Sequence, residues 1–273
     1  MIEHRIEPAA RFSFGGQELW QYRELFFFFT WRDIKVRYKQ ATLGILWALI
    51  QPLSMMVLFT FIFGRGLKLA SDELPYSVFA LSGLLIWNFF SNSLQNAASS
   101  MVSNANIIRK IYFPRLIIPL SAILTALFDM CFALIILIVL VIYYQLTINP
   151  LKLFLIPLSI LLAATTAFGI GTFLAALNVK YRDFQYALPF LIQFLMFVNP
   201  VVYSTKVFVN YPLLQKILAL NPIAGAINMV RSVFNNAPIE ASSIGLQFLI
   251  AFIFLFMGIY FFRKTEAYFA DLA

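Results

Sequence analysis

The chain has 273 residues, of which 62% are apolar and only 12% charged, and its formal net charge is +8. Soluble domains are about 45–50% apolar and about 25% charged, so these few charges cannot cover a water-exposed surface, and lipid is expected as the main solvent. The basic residues lie between hydrophobic runs rather than on one soluble face, which excludes a nucleic-acid surface. A single cysteine, Cys131, and a single histidine, His4, exclude a disulfide framework and a histidine-based metal site.

Residues 1–42 form a polar arm, too small to bury a core of its own. It lacks the apolar core of a cleavable signal peptide, so the first span is expected to act as the insertion signal. From Gln17 onward the arm mixes Trp20, Tyr22, Phe26, Phe27, Phe28, Phe29 and Trp31 with basic residues. Aromatic residues beside Lys and Arg suit an amphipathic helix in the membrane interface, carrying Trp31, Arg32, Asp33, Lys35, Arg37 and Tyr38.

Six stretches are apolar enough to span, at about 43–63, 76–95, 116–144, 153–177, 187–203 and 244–262. The second is the most polar, and the fifth is short and holds Pro189 and Pro200. The tail is 263–273. Basic residues set the orientation. The arm, the second-to-third loop, the fourth-to-fifth loop and the tail hold 14 of the 20 Lys and Arg residues. These segments are therefore expected in the cytoplasm, with both termini inside.

Between the second and third spans, Ile107, Ile108, Ile111 and Tyr112 share one face at 100° per residue, with Arg109 and Lys110 pointing away and Pro114 as the stop. Such a short helix can dock in a groove on a soluble partner or lie on the lipid surface. Asp129 is the one acid within a span; an interior hydrogen-bonding role is expected, with ion pairing or cation binding as alternatives. In the fourth span Ala163, Ala167, Gly171 and Ala175 recur every four residues. They suit close helix packing, within the subunit or across a dimer. Before the last span, two short apolar segments broken at Asn221-Pro222 suggest a re-entrant helical pair. Arg231 is then expected near the outer mouth, to meet a phosphate or to anchor in lipid headgroups.

Catalytic motifs are missing. The sequence has no Gly-x-x-x-x-Gly-Lys-Ser/Thr loop, so the chain is not expected to hydrolyse ATP, and no cofactor is expected. It also lacks a Gly-x-Ser-x-Gly elbow and a His-Glu-x-x-His pair. An ion-coupled secondary transporter would need more intramembrane acids than Asp129. A lipid-sugar enzyme would need clustered acids or histidines near one membrane face.

Several blocks of sequence resemble one family. They are Arg32-Asp33-Ile34-Lys35-Val36-Arg37-Tyr38-Lys39-Gln40, then Leu43-Gly44, Trp47 and Gln51-Pro52. Further blocks are Lys110-Ile111-Tyr112-Phe113-Pro114-Arg115, Pro119-Leu120-Ser121, Leu177-Asn178-Val179-Lys180-Tyr181-Arg182-Asp183, Asn199-Pro200-Val201, Leu220-Asn221-Pro222 and Arg231. In order, they resemble the type-2 ATP-binding-cassette permeases that export O-antigen, teichoic acid or capsule. The resemblance implies a homodimer in the bacterial inner membrane, two copies of a separate ATPase subunit, and a lipid-linked polysaccharide as cargo. It also implies coupling to the ATPase through a short cytoplasmic helix, here 107–112; Asn178, Tyr181, Arg182 and Asp183 join the candidate contacts. A small-molecule exporter of the same class is the alternative. The 17% aromatic content suits stacking on sugar faces in a channel, although many of these residues are expected to face lipid.

The expected fold is an all-α membrane protein. It has six transmembrane helices, an N-terminal interfacial helix, a short cytoplasmic coupling helix and a re-entrant pair before the last span.

Overall fold

A computed structural model describes residues 20–39, 44, 46–181, 183–235, 237–238 and 240–266. The expectations for Arg182, for the outermost part of the arm, for residues 40–43 and for the end of the tail lie outside the described residues. The described residues form helices joined by turns, with no strand among them. The chain is an all-α, multi-pass membrane protein.

The arm is a helix, α1 (Arg23–Lys39). The first span is α2 (Leu46–Phe59), continued by a π-helical turn over Thr60–Gly66. Then come α3 (Tyr76–Ser103), the single turn α4 (Ala105–Ile108), α5 (Ile117–Tyr143) and α6 (Leu155–Lys180). The rest is α7 (Phe184–Val198), α8 (Pro212–Leu220), α9 (Pro222–Asn235) and α10 (Ala241–Glu266). Among the described residues, five helical stretches are long and apolar enough to cross a membrane, or six if the bent pair α8–α9 counts as one.

The most polar of these, α3, lies at the centre. Its most apolar window is 89% buried, against 17% for α2 and for α10. Ser82 and Ser93 are fully buried there. A helix carrying that many hydroxyl and amide groups is tolerated in a bilayer because protein, not lipid, surrounds it. Helices α5 and α6 both pack on α3, and α10 packs on α6.

Two seams of small residues draw α6 close to its neighbours. Ala163, Ala167 and Ala175 are fully buried, and a Cβ added at Gly171 would stand 2.8 Å from the Ala97 Cβ of α3. The four-residue stripe therefore packs inside the subunit. The second seam has no periodic signature in the sequence: a Cβ at Gly258 of α10 would lie 1.9 Å from the Gly169 carbonyl oxygen. Backbone faces backbone there, and no side chain can yield. Gly258→Leu should accordingly part α6 from α10, at a cost above the about 1–3 kcal/mol usual for overpacking. The check is the monodisperse fraction after detergent extraction, which should collapse for Gly258→Leu and hold for Gly245→Leu, where an added Cβ meets nothing.

The stretch expected as the fifth span, 187–203, does not form one long helix. Helix α7 has 15 residues, about 22 Å at 1.5 Å per residue, against a hydrocarbon thickness of about 30 Å. Residues 199–204 continue it without helical structure, and nearly all are buried. Irregular backbone at membrane depth is tolerated only where protein satisfies it. Arg231 does so: its Nη1 donates to the Pro200 carbonyl at 2.7 Å, and its Nη2 donates to those of Val201 at 2.7 Å and Phe79 at 3.2 Å. Its guanidinium also lies 3.5 Å from the Phe79 ring centroid. Arg231 is 2% exposed. The expectation that its side chain meets a phosphate or lipid headgroups is thus corrected: the guanidinium is buried where α9 packs against α3 and α6, and its Nη1 and Nη2 are bonded to backbone carbonyls.

The break at Asn221-Pro222 is present, and α8 and α9 meet there at 88°. The Asn221 side-chain oxygen accepts from the Ile223 N–H at 3.0 Å and so caps α9. Its amide nitrogen donates to Asn199 Oδ1 at 3.0 Å. The two Asn-Pro pairs, 22 positions apart, are therefore one structural unit.

Candidate functional site: the arm, the one-turn helix and a polar cleft

The segments richest in Lys and Arg gather at one end of the bundle. Phe29 of α1, Met101 of α3, Ile108 of α4, Val179 of α6 and Phe262 of α10 form one apolar cluster with Phe113 and Leu116. Arg115 donates through Nη1 to the Glu266 carbonyl. At the opposite end, Lys152 donates to the Ala237 carbonyl at 2.9 Å, and Lys206 pairs with Asp72 at 3.2 Å.

The short element between α3 and α5 differs from its expected form. The helix ends after Ile108, so one apolar face does not continue across 107–112. Ile107 is half-buried. Ile108 is only 5% exposed and packs into the chain's own cluster against Phe29 and Phe113. The shared face of Ile107, Ile108, Ile111 and Tyr112 is thus not formed, because the arm already occupies the inner side. Ile111 and Tyr112 are 61% and 71% exposed, with Arg109 and Lys110 exposed beside them. They border a hollow of about 190 Å³.

The second candidate stretch also divides. Asn178 is buried, and its amide donates to the Ala98 carbonyl at 2.8 Å, tying α6 to α3. It therefore faces the core and is not open to a partner. Tyr181 and Asp183 are exposed, and the Lys180 ammonium lies 5.1 Å from the Tyr181 ring centroid.

Helix α1 runs lengthwise along α5. Tyr22, Leu25, Phe26, Phe29 and Tyr38 turn inward, while Trp20, Phe27, Phe28, Trp31 and Val36 are exposed. At one end the Phe29 and Phe113 rings lie 5.5 Å apart. There Arg32 Nη2 donates to Asp33 Oδ1 at 2.7 Å and to Asn104 Oδ1 at 2.8 Å. Lys35 reaches over the Trp31 ring, 5.3 Å from its centroid. At the other end Arg37 Nη1 and the Tyr38 hydroxyl both donate to the Asp129 carboxylate. Burial, and then the neighbouring Asp129 charge, push the Tyr38 phenol above its ordinary range. The phenol therefore stays protonated and keeps donating. Asp129 is thus an anchor for the arm, both ionic and structural. The arm links the one-turn helix to the middle of α5.

Beside that anchor opens a cleft of about 410 Å³. Its walls are the end of α1, α2, α3 and α5. Arg37, Tyr38 and Asp129 lie at one side, Trp47 and Gln51 come from α2, and Asn88, Asn92 and Asn96 come from α3. The three asparagines recur every fourth residue, so they form one ladder about 12 Å long on a single helix face. In the sequence this span stands out as the most polar, and the four-residue spacing of its asparagines is the one signal of the ladder.

The family model for the ABC-2 type transporter matches residues 24–235, a stretch that holds α1, the cleft, the one-turn helix and the bent pair. The chain is 28% identical over 242 residues to the O-antigen export system permease protein RfbA of Klebsiella pneumoniae, covering 88% of this chain and 92% of that one. It is 29% identical over 219 residues to the protein of the same name from Myxococcus xanthus, covering 80% and 83%. It is 25% identical over 245 residues to the polysialic acid transport protein KpsM of Escherichia coli, covering 86% and 91%.

Proposed function

The chain belongs to the ABC-2 type transporter family, and on that premise we propose that it is the permease subunit of an exporter for a lipid-linked, O-antigen-like polysaccharide in the bacterial inner membrane. The observation that carries this reading is the similarity, over nearly the full length of both chains, to permeases named for O-antigen export. The working unit is a homodimer with two copies of a separate ATPase, since one six-crossing chain without an internal repeat needs a two-fold partner to enclose a symmetric path. The Arg- and Lys-rich end lies in the cytoplasm, with both termini. Energy arrives through a protein contact there, at Ile111 and Tyr112 with Arg109 and Lys110 around them; Tyr181 and Asp183 flank it.

The similarity to a polysialic acid transport protein favours a capsule-type glycan as the second reading. Coupling to an ion gradient is disfavoured because Arg37 and Tyr38 already engage Asp129. Deleting the gene should abolish the surface glycan while lipid-linked glycan accumulates on the cytoplasmic side, and the wild-type chain should restore export. An unchanged glycan surface in the deletion strain would overturn the reading.

A further inference from the structure

We propose that the asparagine ladder of α3 is a sugar subsite: Asn88, Asn92 and Asn96 bind neutral, hydroxyl-rich units of the glycan as it passes through the cleft. This rests on the polysaccharide reading above and adds where and how the sugar is held.

Among the described residues, no protein group hydrogen-bonds the side chains of Asn88, Asn92 or Asn96, although Asn88 lies near the middle of a 28-residue span. An unpaired amide in hydrocarbon is costly. Three of them on one face need water, a polar ligand or a second copy of the chain as partner, and the cleft they line has room for the first two. Each amide carries both donors and acceptors, which matches a sugar hydroxyl that does the same. Gln51 adds a fourth amide across the cleft, and Trp47, 53% exposed, offers an aromatic face to the apolar side of a sugar ring. Charge decides the ligand class. Arg37 and Asp129 at the cleft edge are bonded to each other, so their charges cancel. A neutral polyhydroxyl ligand fits, whereas a diphosphate would have to strip Arg37 from its partner.

The test uses the full chain with its ATPase, in inverted membrane vesicles and with Cys131→Ala as background. Asn92→Cys and Asn96→Cys are treated with a water-soluble, membrane-impermeant thiol reagent. Ile138→Cys, on an exposed apolar face of α5, is the control. The ladder cysteines should react at least about tenfold faster than the control, as water reaches them and not a lipid-facing site. Loading the vesicles with lipid-linked glycan from an export-deficient strain should slow that reaction.

In cells, Asn88→Leu with Asn92→Leu should lower surface glycan about tenfold, the loss expected for one or two hydrogen bonds, at unchanged membrane level and ATPase co-purification. Asn92→Ser, which keeps a donor and an acceptor, should retain most export. Reaction no faster than the control overturns the subsite. So does a disulfide joining two copies through Asn92→Cys, which would place the ladder in a protein interface, and so does full export by the double Leu variant. Labelling needs no export, so its failure is distinguishable from failure of the polysaccharide reading.

Discussion

Arg231→Met should prevent the protein from accumulating in a form that survives detergent extraction. The substitution keeps an unbranched apolar stem but removes the guanidinium and every donor. The Pro200 and Val201 carbonyls, each 2.7 Å from the guanidinium, then lose their partner inside the protein. A buried group left unsatisfied costs about 1–3 kcal/mol, and a membrane offers no water to replace it. Native stability is itself only about 5–15 kcal/mol. Arg231→Lys should recover part of the yield, because one ammonium cannot span the carbonyls that the planar fork serves together. Gly83→Ala should reproduce part of the defect: its Cβ would lie 2.7 Å from Arg231 Nη2 and 2.7 Å from the Val201 carbonyl oxygen. The measurement is the monodisperse peak by size-exclusion chromatography. Wild-type recovery of Arg231→Met would show that the turn at 199–204 does not depend on this side chain.

The second large effect concerns the link to the ATPase. Ile111→Asp combined with Tyr112→Asp should release the ATPase from the membrane, or leave it bound and hydrolysing without export. Both side chains are well exposed, so the level and extraction behaviour of the permease should not change. Anchor residues at the centre of an interface are commonly worth about 2 kcal/mol or more, which is a roughly thirtyfold loss of affinity. Arg109→Ala, at the rim, should do far less. Ile108→Asp should behave differently again, failing at folding because it places a carboxylate among Phe29, Met101 and Phe113. Co-purification of the ATPase across these variants separates the cases. Full binding and export by the double Asp variant would remove this element from the coupling path.

The contrast between Ile108 and Ile111 marks how far the sequence could be read. Long apolar runs placed the spans, because hydropathy over about 20 residues reports the solvent directly. The break at Asn221-Pro222 was visible because proline restricts the residue before it. The four-residue spacing of Ala163, Ala167, Gly171 and Ala175 revealed a contact face without its partner. What stayed hidden depends on groups distant in sequence. Ile108 turns inward because Phe29, 79 positions earlier, waits there. Asn178 is drawn to the Ala98 carbonyl, 80 positions away. Arg231 looked like a surface cation until Pro200 and Val201 came within its reach. The Gly169–Gly258 seam joins two helices that each carry a single glycine at the contact, so neither helix alone displays a motif. The asparagine ladder was present as a period of four, yet periodicity names a face and not what the face meets.

ATP-driven movement of glycan by the purified parts tests the central claim most directly. The chain and its partner ATPase are reconstituted in liposomes loaded with lipid-linked glycan, and the glycan reaching the far leaflet is measured with a membrane-impermeant sugar-modifying enzyme. The account predicts that glycan appears there with ATP, stays put with a non-hydrolysable analogue, and stays put with ATP in the Ile111→Asp, Tyr112→Asp variant. Transfer at the same rate without ATP, or no transfer with ATP while the ATPase hydrolyses normally in the wild-type complex, would contradict it.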